Sequence, residues 1–230
     1  MISLQGKEGQ ALLDPNVLSY LVNLNQKNEQ WIRELEDEAI ENHVPIMDKI
    51  GIAFLEQIIR IKQPENILEI GAAIGYSSLR MAYAYKHTKI VTIERDQAMY
   101  ERATHHIAER KKEDQIDVIF GDALDVAETV EQKAPYDLIF IDAAKGQYQK
   151  FFTMYEKMLS PDGMIVTDNV LFRGLVADHR DASKRMQKLA EKINSYNKWL
   201  TDHGSYHTTI LPVGDGIAIS VPKAKEEVSE

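Results

Sequence analysis

From residue 66 onward, short apolar runs alternate with segments that are long enough to form helices. Five runs have the length and composition of buried strands, and they cover residues 66–70, 90–94, 116–120, 136–141 and 163–168. This alternation is typical of right-handed β–α–β crossovers, which build a parallel sheet covered by helices. We therefore predict an α/β fold in which ligands bind beyond the carboxyl ends of the strands.

The two ends of the chain follow other patterns. Before the first strand, apolar residues recur at helical spacing, Pro45 interrupts that pattern and Pro64 ends it. After the last parallel strand, residues 182–202 have the apolar stripe of an amphipathic helix. The runs 206–211 and 217–221 then flank a glycine-containing loop, as expected of an antiparallel hairpin. With this hairpin, the predicted sheet has seven strands and is mostly parallel.

Composition limits the class of protein. A chain of 230 residues suits one α/β domain, and the absence of cysteine excludes disulfides and thiolate metal sites. No N-terminal signal is visible, and no apolar run approaches the roughly 20 residues of a membrane helix, so we expect a cytoplasmic protein. The net charge of −9 argues against broad nucleic-acid binding but is compatible with a local basic patch. We divide the domain into an N-terminal helical segment, a core and a flexible tail, at residues 1–62, 63–221 and 222–230.

A glycine-rich turn follows the first predicted strand, in the run Glu69-Ile70-Gly71-Ala72-Ala73-Ile74-Gly75. Small residues at such a turn let the backbone approach a ligand, and the next helix presents free N–H groups to anionic groups. The spacing of Gly71 and Gly75 differs from that of dinucleotide-binding folds. A tight turn without a ligand would have the same sequence, so the turn alone leaves both interpretations open.

Acidic residues at two later strand ends favour a nucleotide-like cofactor. Glu94 ends the second predicted strand, 23 residues after Gly71. An acid at this distance can accept the hydroxyl hydrogens of a ribose, although a solvent-exposed strand-end glutamate is the simpler alternative. Asp122 follows the third strand, where it either accepts the amino group of an adenine or caps the next helix.

Oxygen donors lie at the ends of the fourth and fifth predicted strands. Asp142 follows one, and Asp168 and Asn169 close the other. Carboxylate and amide oxygens suit Mg²⁺ or Mn²⁺, and no histidine or cysteine lies beside them to favour zinc. Lys145, three residues after Asp142, is either a general base beside the cation or an exposed loop lysine.

Three motifs, at residues 69–77, 141–145 and 167–171, resemble the divalent-metal- and S-adenosylmethionine-dependent O-methyltransferases of catechol and caffeoyl-CoA type. The likeness extends over residues 30–221. It implies a Rossmann-like class I methyltransferase fold and a homodimer. The residues that the resemblance and the turn together assign to S-adenosylmethionine are Met47, Glu69, Gly71, Gly75, Ser77, Glu94, Asp122, Ala123 and Asp142.

The resemblance also assigns the chemistry. It implies that Asp142, Asp168 and Asn169 bind Mg²⁺, with Mn²⁺ as the other suitable cation. Lys145 corresponds to the base proposed for the family, and it forms the catalytic pair with Asp142. A cation there would hold two neighbouring acceptor oxygens, as a catechol or a 5-hydroxyuridine offers.

Within the family, the chain resembles in particular the bacterial tRNA 5-hydroxyuridine methyltransferases, through residues 43–47, 141–148 and 168–176. This resemblance implies methylation of the wobble uridine in the anticodon loop, which gives 5-methoxyuridine. The candidate contacts to anticodon phosphates are Arg173, Arg180, Lys184 and Arg185. They would equally suit a solvated helix face. A small-molecule O-methyltransferase would share every catalytic residue, whereas a non-enzymatic binding protein is disfavoured by the intact metal and base residues.

Overall fold

The computed structural model describes residues 14–25 and 29–224. Within these residues, seven strands form one sheet: β1 Asn66–Ile70, β2 Lys89–Glu94, β3 Ile116–Phe120, β4 Tyr136–Ile141, β5 Leu159–Thr167, β6 Tyr206–Leu211 and β7 Ile217–Pro222. Their order across the sheet is β3-β2-β1-β4-β5-β7-β6. The first five strands pair in parallel, while β7 runs antiparallel to both β5 and β6. The predicted mostly parallel sheet with a closing hairpin is confirmed.

Helices occupy the connections between the strands. The described residues contain eight α-helices: α1 Pro15–Asn25, α2 Gln30–Glu41, α3 Lys49–Lys62, α4 Tyr76–Ala84, α5 Gln97–Glu109, α6 Ala127–Glu131, α7 Tyr148–Tyr155 and α8 Lys184–Thr201. Side-chain caps fix the start of three of them. Asp48 accepts hydrogen bonds from two N–H groups at the start of α3, and Asp96 and Ser183 cap α5 and α8 in the same way.

The core has two layers because the sheet is covered on both faces. Leu138 and Phe140 of β4 face a cluster built with α2 to α5, whereas Ile139 and Ile141 face a second cluster built with α6 to α8. All four side chains are fully buried. A parallel strand covered on both faces reads as a continuous apolar run, which is why the sequence predicts these strands well.

Some predicted bounds differ from the observed ones. β5 begins at Leu159 instead of residue 163 and ends at Thr167, so Asp168 follows the strand. The segment 160–163 has the composition of a turn, Ser-Pro-Asp-Gly, and this composition hides the start of the strand. The predictions for residues 1–13, 26–28 and 225–230 lie outside the described residues. No helix in the described part of the chain is long and apolar enough to cross a membrane.

Candidate active site

A cleft with a volume of about 280 Å³ opens where the parallel strands end, and we call it the strand-end cleft. Its walls come from the residues that follow β1, β2, β3 and β4 and from the segment before α3. The structure brings most of the predicted cofactor residues to this cleft, namely Met47, Gly71, Ser77, Glu94, Asp122, Ala123 and Asp142. Ligands of open α/β sheets bind at this edge.

Gly71 joins two walls of the strand-end cleft by a close approach of backbone. Its φ of +107° lies in a region that side chains other than glycine rarely adopt. A Cβ atom at this position would lie 2.1 Å from the carbonyl oxygen of Asp142. Glycine is therefore required here, and the turn after β1 is fixed directly against the end of β4.

Glu94 and Asp122 present carboxylates whose orientation is fixed by the backbone. Oε2 of Glu94 accepts a hydrogen bond from the N–H of Ala73 at 2.8 Å, within the glycine turn. Oδ1 of Asp122 accepts from the N–H of Leu124 at 2.9 Å. Because the N-cap of α6 is Val126, the alternative that Asp122 caps the next helix is wrong. Asp122 stabilises a turn and keeps an oxygen at the cleft.

Glu69 and Gly75, both predicted as cofactor-binding residues, do not line the strand-end cleft. Glu69 is fully buried inside the sheet, where its Oε2 accepts from the hydroxyl of Thr92 at 2.6 Å and from the hydroxyl of Ser78. Burial raises the pKa of Glu69 to about 7. Gly75 begins α4 and packs against Ala103. Both residues therefore stabilise the glycine turn without lining the strand-end cleft.

The predicted metal ligands converge between β4 and β5. Asp168 is almost fully buried, and its Oδ2 has no hydrogen-bond partner. Burial, and then the charge of Asp142, raise the pKa of Asp168 above its ordinary value. Removal from bulk water likewise raises the pKa of Asp142, which Lys145 partly opposes. Asn169 completes the group, since its Oδ1 accepts a hydrogen bond from Nζ of Lys145.

This donor set fits a hard divalent cation. Burial disfavours the charged form of both carboxylates, and Oδ2 of Asp168 is a buried oxygen without a hydrogen-bond partner. A divalent cation would stabilise the charged form of both acids and would give this oxygen a partner. Residues 14–25 and 29–224 contain no cluster of three or more histidine, cysteine, aspartate or glutamate side chains suited to a metal. The candidate ligands Asp142, Asp168 and Asn169 are two acids and one amide, and a six-coordinate cation would have further positions for water or an acceptor.

Lys145 begins a 3₁₀ turn, Lys145–Gln147, which is separated from the end of β4 by three residues. Its side chain is partly buried, so the alternative of an exposed loop lysine is wrong. Lys145 and Asn169 line the strand-end cleft and also a second, wider cleft beside it, which we call the outer cleft. The amine therefore stands where the two clefts meet.

The outer cleft has a volume of about 960 Å³. Sequence reasoning did not find most of its walls. They come from α1 and α2, from the segment after β5, from the start of α8 and from the hairpin loop, with Leu18, Val22, Ile40, Phe172, Met186 and Asp215 among the lining residues. These elements are far apart in sequence. The sequence had singled out Arg173, the amphipathic helix that contains Met186 and the glycine-containing hairpin loop, but no pattern related them.

The four predicted phosphate contacts lie in three different places. Arg173 lines the outer cleft. Lys184 and Arg185 line a shallow groove on α8, together with Lys188, Leu189 and Lys192. Arg180 lines neither, and its guanidinium forms two hydrogen bonds with the carboxylate of Asp178 at 3.0 and 2.6 Å. Arg180 therefore lies apart from the basic surface of α8, which also contains Lys188 and Lys192. The contacts of these residues to phosphate stay predictions.

Comparisons with known proteins agree with this geometry. A family model described as O-methyltransferase matches residues 23–223. A catechol O-methyltransferase of Niastella koreensis is 33% identical over 74% of this chain and 79% of its own length. A Staphylococcus aureus structure, provisionally assigned as a caffeoyl-CoA O-methyltransferase, is 39% identical with a TM-score of 0.84, over 89% of this chain and 98% of that one. A Bacillus cereus O-methyltransferase in complex with S-adenosylhomocysteine is 26% identical with a TM-score of 0.77, over 90% of this chain and 97% of that one. The chain therefore belongs to the O-methyltransferase family that includes the catechol and caffeoyl-CoA enzymes.

Proposed function

We propose that this O-methyltransferase uses S-adenosylmethionine to methylate the 5-hydroxyl of 5-hydroxyuridine at the wobble position of tRNA, with Mg²⁺ held by Asp142, Asp168 and Asn169. The product is 5-methoxyuridine. The single observation that carries the RNA part of this proposal is a strip of cations on α8 that form no ion pair with the described residues. The strip ends at Lys192, beside Gly146, which follows Lys145.

The cofactor assignment is supported by the strand-end cleft and by relatives in complex with the cofactor or its product. The Bacillus cereus relative contains S-adenosylhomocysteine, and a Streptomyces achromogenes O-methyltransferase contains the cofactor itself. In this chain, the fixed carboxylate of Glu94 would accept hydrogen bonds from ribose hydroxyls. Asp122 and Ala123 would border the adenine, and Met47 and Ser77 would contact the methionine portion.

The chemistry needs a base, two neighbouring acceptor oxygens and a bound methyl donor. When Mg²⁺ is bound, it would favour ionisation of the acceptor hydroxyl and orient it together with the adjacent carbonyl. Lys145 would accept the proton of that hydroxyl at Nζ. The acceptor oxygen then forms a bond to the methyl carbon while the carbon–sulfur bond breaks, and S-adenosylhomocysteine remains. No covalent bond to the protein forms.

The cationic strip follows one face of α8. Lys184, Lys188 and Lys192 are spaced by four residues, so their side chains lie in a row, with Arg185 beside them. None of the four forms an ion pair with another residue of the described chain. Nζ of Lys192 lies 3.7 Å from the position of a Cβ atom on Gly146, which follows Lys145. Such a row in a chain of net charge −9 suits the phosphates of a bound polyanion.

The test is a methyl-transfer assay with labelled S-adenosylmethionine, Mg²⁺ and tRNA that carries 5-hydroxyuridine, with a catechol in a parallel reaction. We expect nucleoside analysis to show 5-methoxyuridine and a chelator to abolish it. The double variant Lys188→Ala, Lys192→Ala should weaken tRNA binding and reduce the slope of log affinity against log salt by roughly 1.4 to 1.8. Lys86→Ala, Lys157→Ala is the matched control, because both lysines are exposed and lie just before β2 and β5, at the amino ends of the strands, away from both clefts.

A small catechol-like acceptor is the second candidate. The 33% identical catechol O-methyltransferase supports it, and so does the apolar part of the outer cleft. Methylated catechol with unchanged tRNA would select this candidate, and the strip on α8 would then be a solvated helix face. The homodimer and the cytoplasmic location stay predictions.

A further inference from the structure

The segment between β5 and α8 has an unusual backbone directly after the candidate metal ligands. Asn169, Phe172 and Arg173 have φ values of 58°, 48° and 55°, and Gly174 continues the run at 80°. Left-handed backbone is common for asparagine and glycine but is strained for phenylalanine and arginine. Two consecutive strained residues persist only where surrounding contacts hold them, and such positions cluster at functional sites.

The hairpin loop between β6 and β7 supplies those contacts. The N–H of Val170 donates to the carbonyl oxygen of Gly216 at 3.0 Å, and the N–H of Leu171 donates to that of Asp215 at 2.9 Å. The side chain of Asp215 adds a third bond, because its Oδ1 accepts from the N–H of Arg173. Of the three bonds, this last one alone depends on a side chain and can be removed by substitution.

The strained turn forms part of the outer cleft. Asn169, Phe172, Arg173 and Asp215 all line it, next to Lys145. The hydrogen bond from Lys145 to Asn169 connects the same segment to the candidate base. In the strand-end cleft, by contrast, this segment contributes Asn169 alone.

We propose that Asp215 is a positioning residue for methyl transfer. Its carboxylate accepts the hydrogen bond of the Arg173 N–H and thereby holds Asn169 and the wall of the outer cleft formed by Phe172 and Arg173 in a fixed position relative to Lys145. Without this bond, Phe172 and Arg173 relax out of the left-handed region and the wall moves away from the base. The proposal concerns the wall and not the identity of the acceptor, so it applies to tRNA and to a catechol alike.

The test compares Asp215→Ala with Asp215→Asn, whose amide oxygen can still accept the Arg173 N–H. For Asp215→Ala, we expect kcat/KM for the acceptor to fall roughly 10- to 100-fold. Mn²⁺ binding, followed by electron paramagnetic resonance, should weaken, whereas the affinity for S-adenosylhomocysteine should stay within about twofold of the wild type. Amide hydrogen exchange at residues 170–175 should accelerate. Asp215→Asn should restore all of these properties to near the wild-type level.

Asp202→Ala is the matched control, since it removes an acidic side chain that is exposed and lies outside the outer cleft. It should leave catalysis and the exchange of residues 170–175 unchanged. Equal losses in Asp215→Asn and Asp215→Ala would overturn the proposal, because the charge and not the hydrogen bond would then matter. Unchanged exchange in Asp215→Ala would also overturn it. Exchange and S-adenosylhomocysteine binding need no acceptor, so a failure of the proposed tRNA function is distinguished from a failure of this inference.

Discussion

The two clefts that meet at Lys145 are built in different ways. The strand-end cleft is formed by consecutive ends of one parallel sheet, and backbone bonds continue the ladder beyond those ends, from the N–H groups of Gly71, Gly121, Asp142 and Asp168. The outer cleft combines helices with a loop and a hairpin, and the backbone bonds that continue the sheet there join the loop after β5 to the hairpin. Under the proposed function, the strand-end cleft is the cofactor side and the outer cleft is the acceptor side. A rigid cofactor side combined with a composite acceptor side lets one fold serve many acceptors, because loops and appended helices can vary around a fixed sheet.

The largest effect is expected at the junction of the two clefts. Lys145→Met removes the candidate base, and kcat should fall roughly 10²- to 10⁴-fold. Binding of S-adenosylhomocysteine should hardly change, because the backbone ladder around the strand-end cleft is intact. Single-turnover rates and calorimetric titration measure the two quantities. The control is Lys150→Met, on the exposed side of α7, and a kcat within a few-fold of the wild type for Lys145→Met would remove Lys145 from the mechanism.

A side chain at Gly71 should damage the strand-end cleft. In Gly71→Ala, the Cβ would lie 2.1 Å from the Asp142 carbonyl oxygen, so two walls must separate. We expect the affinity for S-adenosylhomocysteine to fall on the order of 100-fold, the equivalent of about 3 kcal/mol. Gly174→Ala is the control on the outer side, since Gly174 also has a positive φ but no atom within 4 Å of the added Cβ. Equal affinities in the two variants would contradict the rigid cofactor side.

Glu69, which is buried below the strand-end cleft, should make the free energy of unfolding of the protein depend on pH. Its pKa rises from 4.5 to about 7 on folding, so the folded protein binds a proton more tightly than the unfolded chain does. The stability that this proton contributes is complete below pH 4.5 and is lost as the pH rises through about 7. At about 1.4 kcal/mol per pKa unit, the loss is on the order of 3 kcal/mol.

Urea unfolding at pH 5 and pH 7.5 tests this expectation. Wild-type protein should lose stability between the two values, and Glu69→Gln should lose less, because an amide does not ionise. Glu113→Gln, at an exposed glutamate, is the control and should behave like the wild type. A pH dependence in Glu69→Gln that equals that of the wild type would refute the assignment.

The smallest effect is expected on the wall that α1 contributes. Leu18→Ala with Val22→Ala should raise the KM for the acceptor by about 3- to 10-fold, because two apolar side chains are truncated and their contacts with the acceptor are lost. The affinity for S-adenosylhomocysteine should not change. Leu24→Ala lies on the same helix but outside the outer cleft, and it should leave both quantities unchanged. A weaker affinity for S-adenosylhomocysteine with an unchanged KM for the acceptor would contradict the assignment of the two ligands to separate clefts.

The sequence predicted the strand-end cleft well for a geometrical reason. Residues that end or directly follow a parallel strand, such as Glu94 and Asp142, line the cleft at the edge where ligands bind, whereas Asp168 lies buried just behind it. Glu69 was assigned to the same edge, although it is the penultimate residue of β1. Side chains within a strand point to the faces of the sheet, so Glu69 lies inside the core. Position within the strand was the signal that the prediction overlooked.

The outer cleft could not be predicted in the same way. Its walls meet through tertiary packing of α1, α2, the turn at residues 172–174 and the hairpin loop, and no period in the sequence relates them. The left-handed backbone at Phe172 and Arg173 is also invisible to propensity, which disfavours it for both residue types. Tertiary contacts from Asp215 decide that conformation.

Helix α1 has 11 residues, and none of them is buried. An isolated helix of this length is marginal in water, so α1 depends on its packing against α3 and on the rim of the outer cleft. Its detachment should therefore require far less free energy than global unfolding, as for the least stable cooperative unit of a protein. The wall that α1 gives to the outer cleft can then open while the strand-end cleft, which the sheet holds together, stays intact.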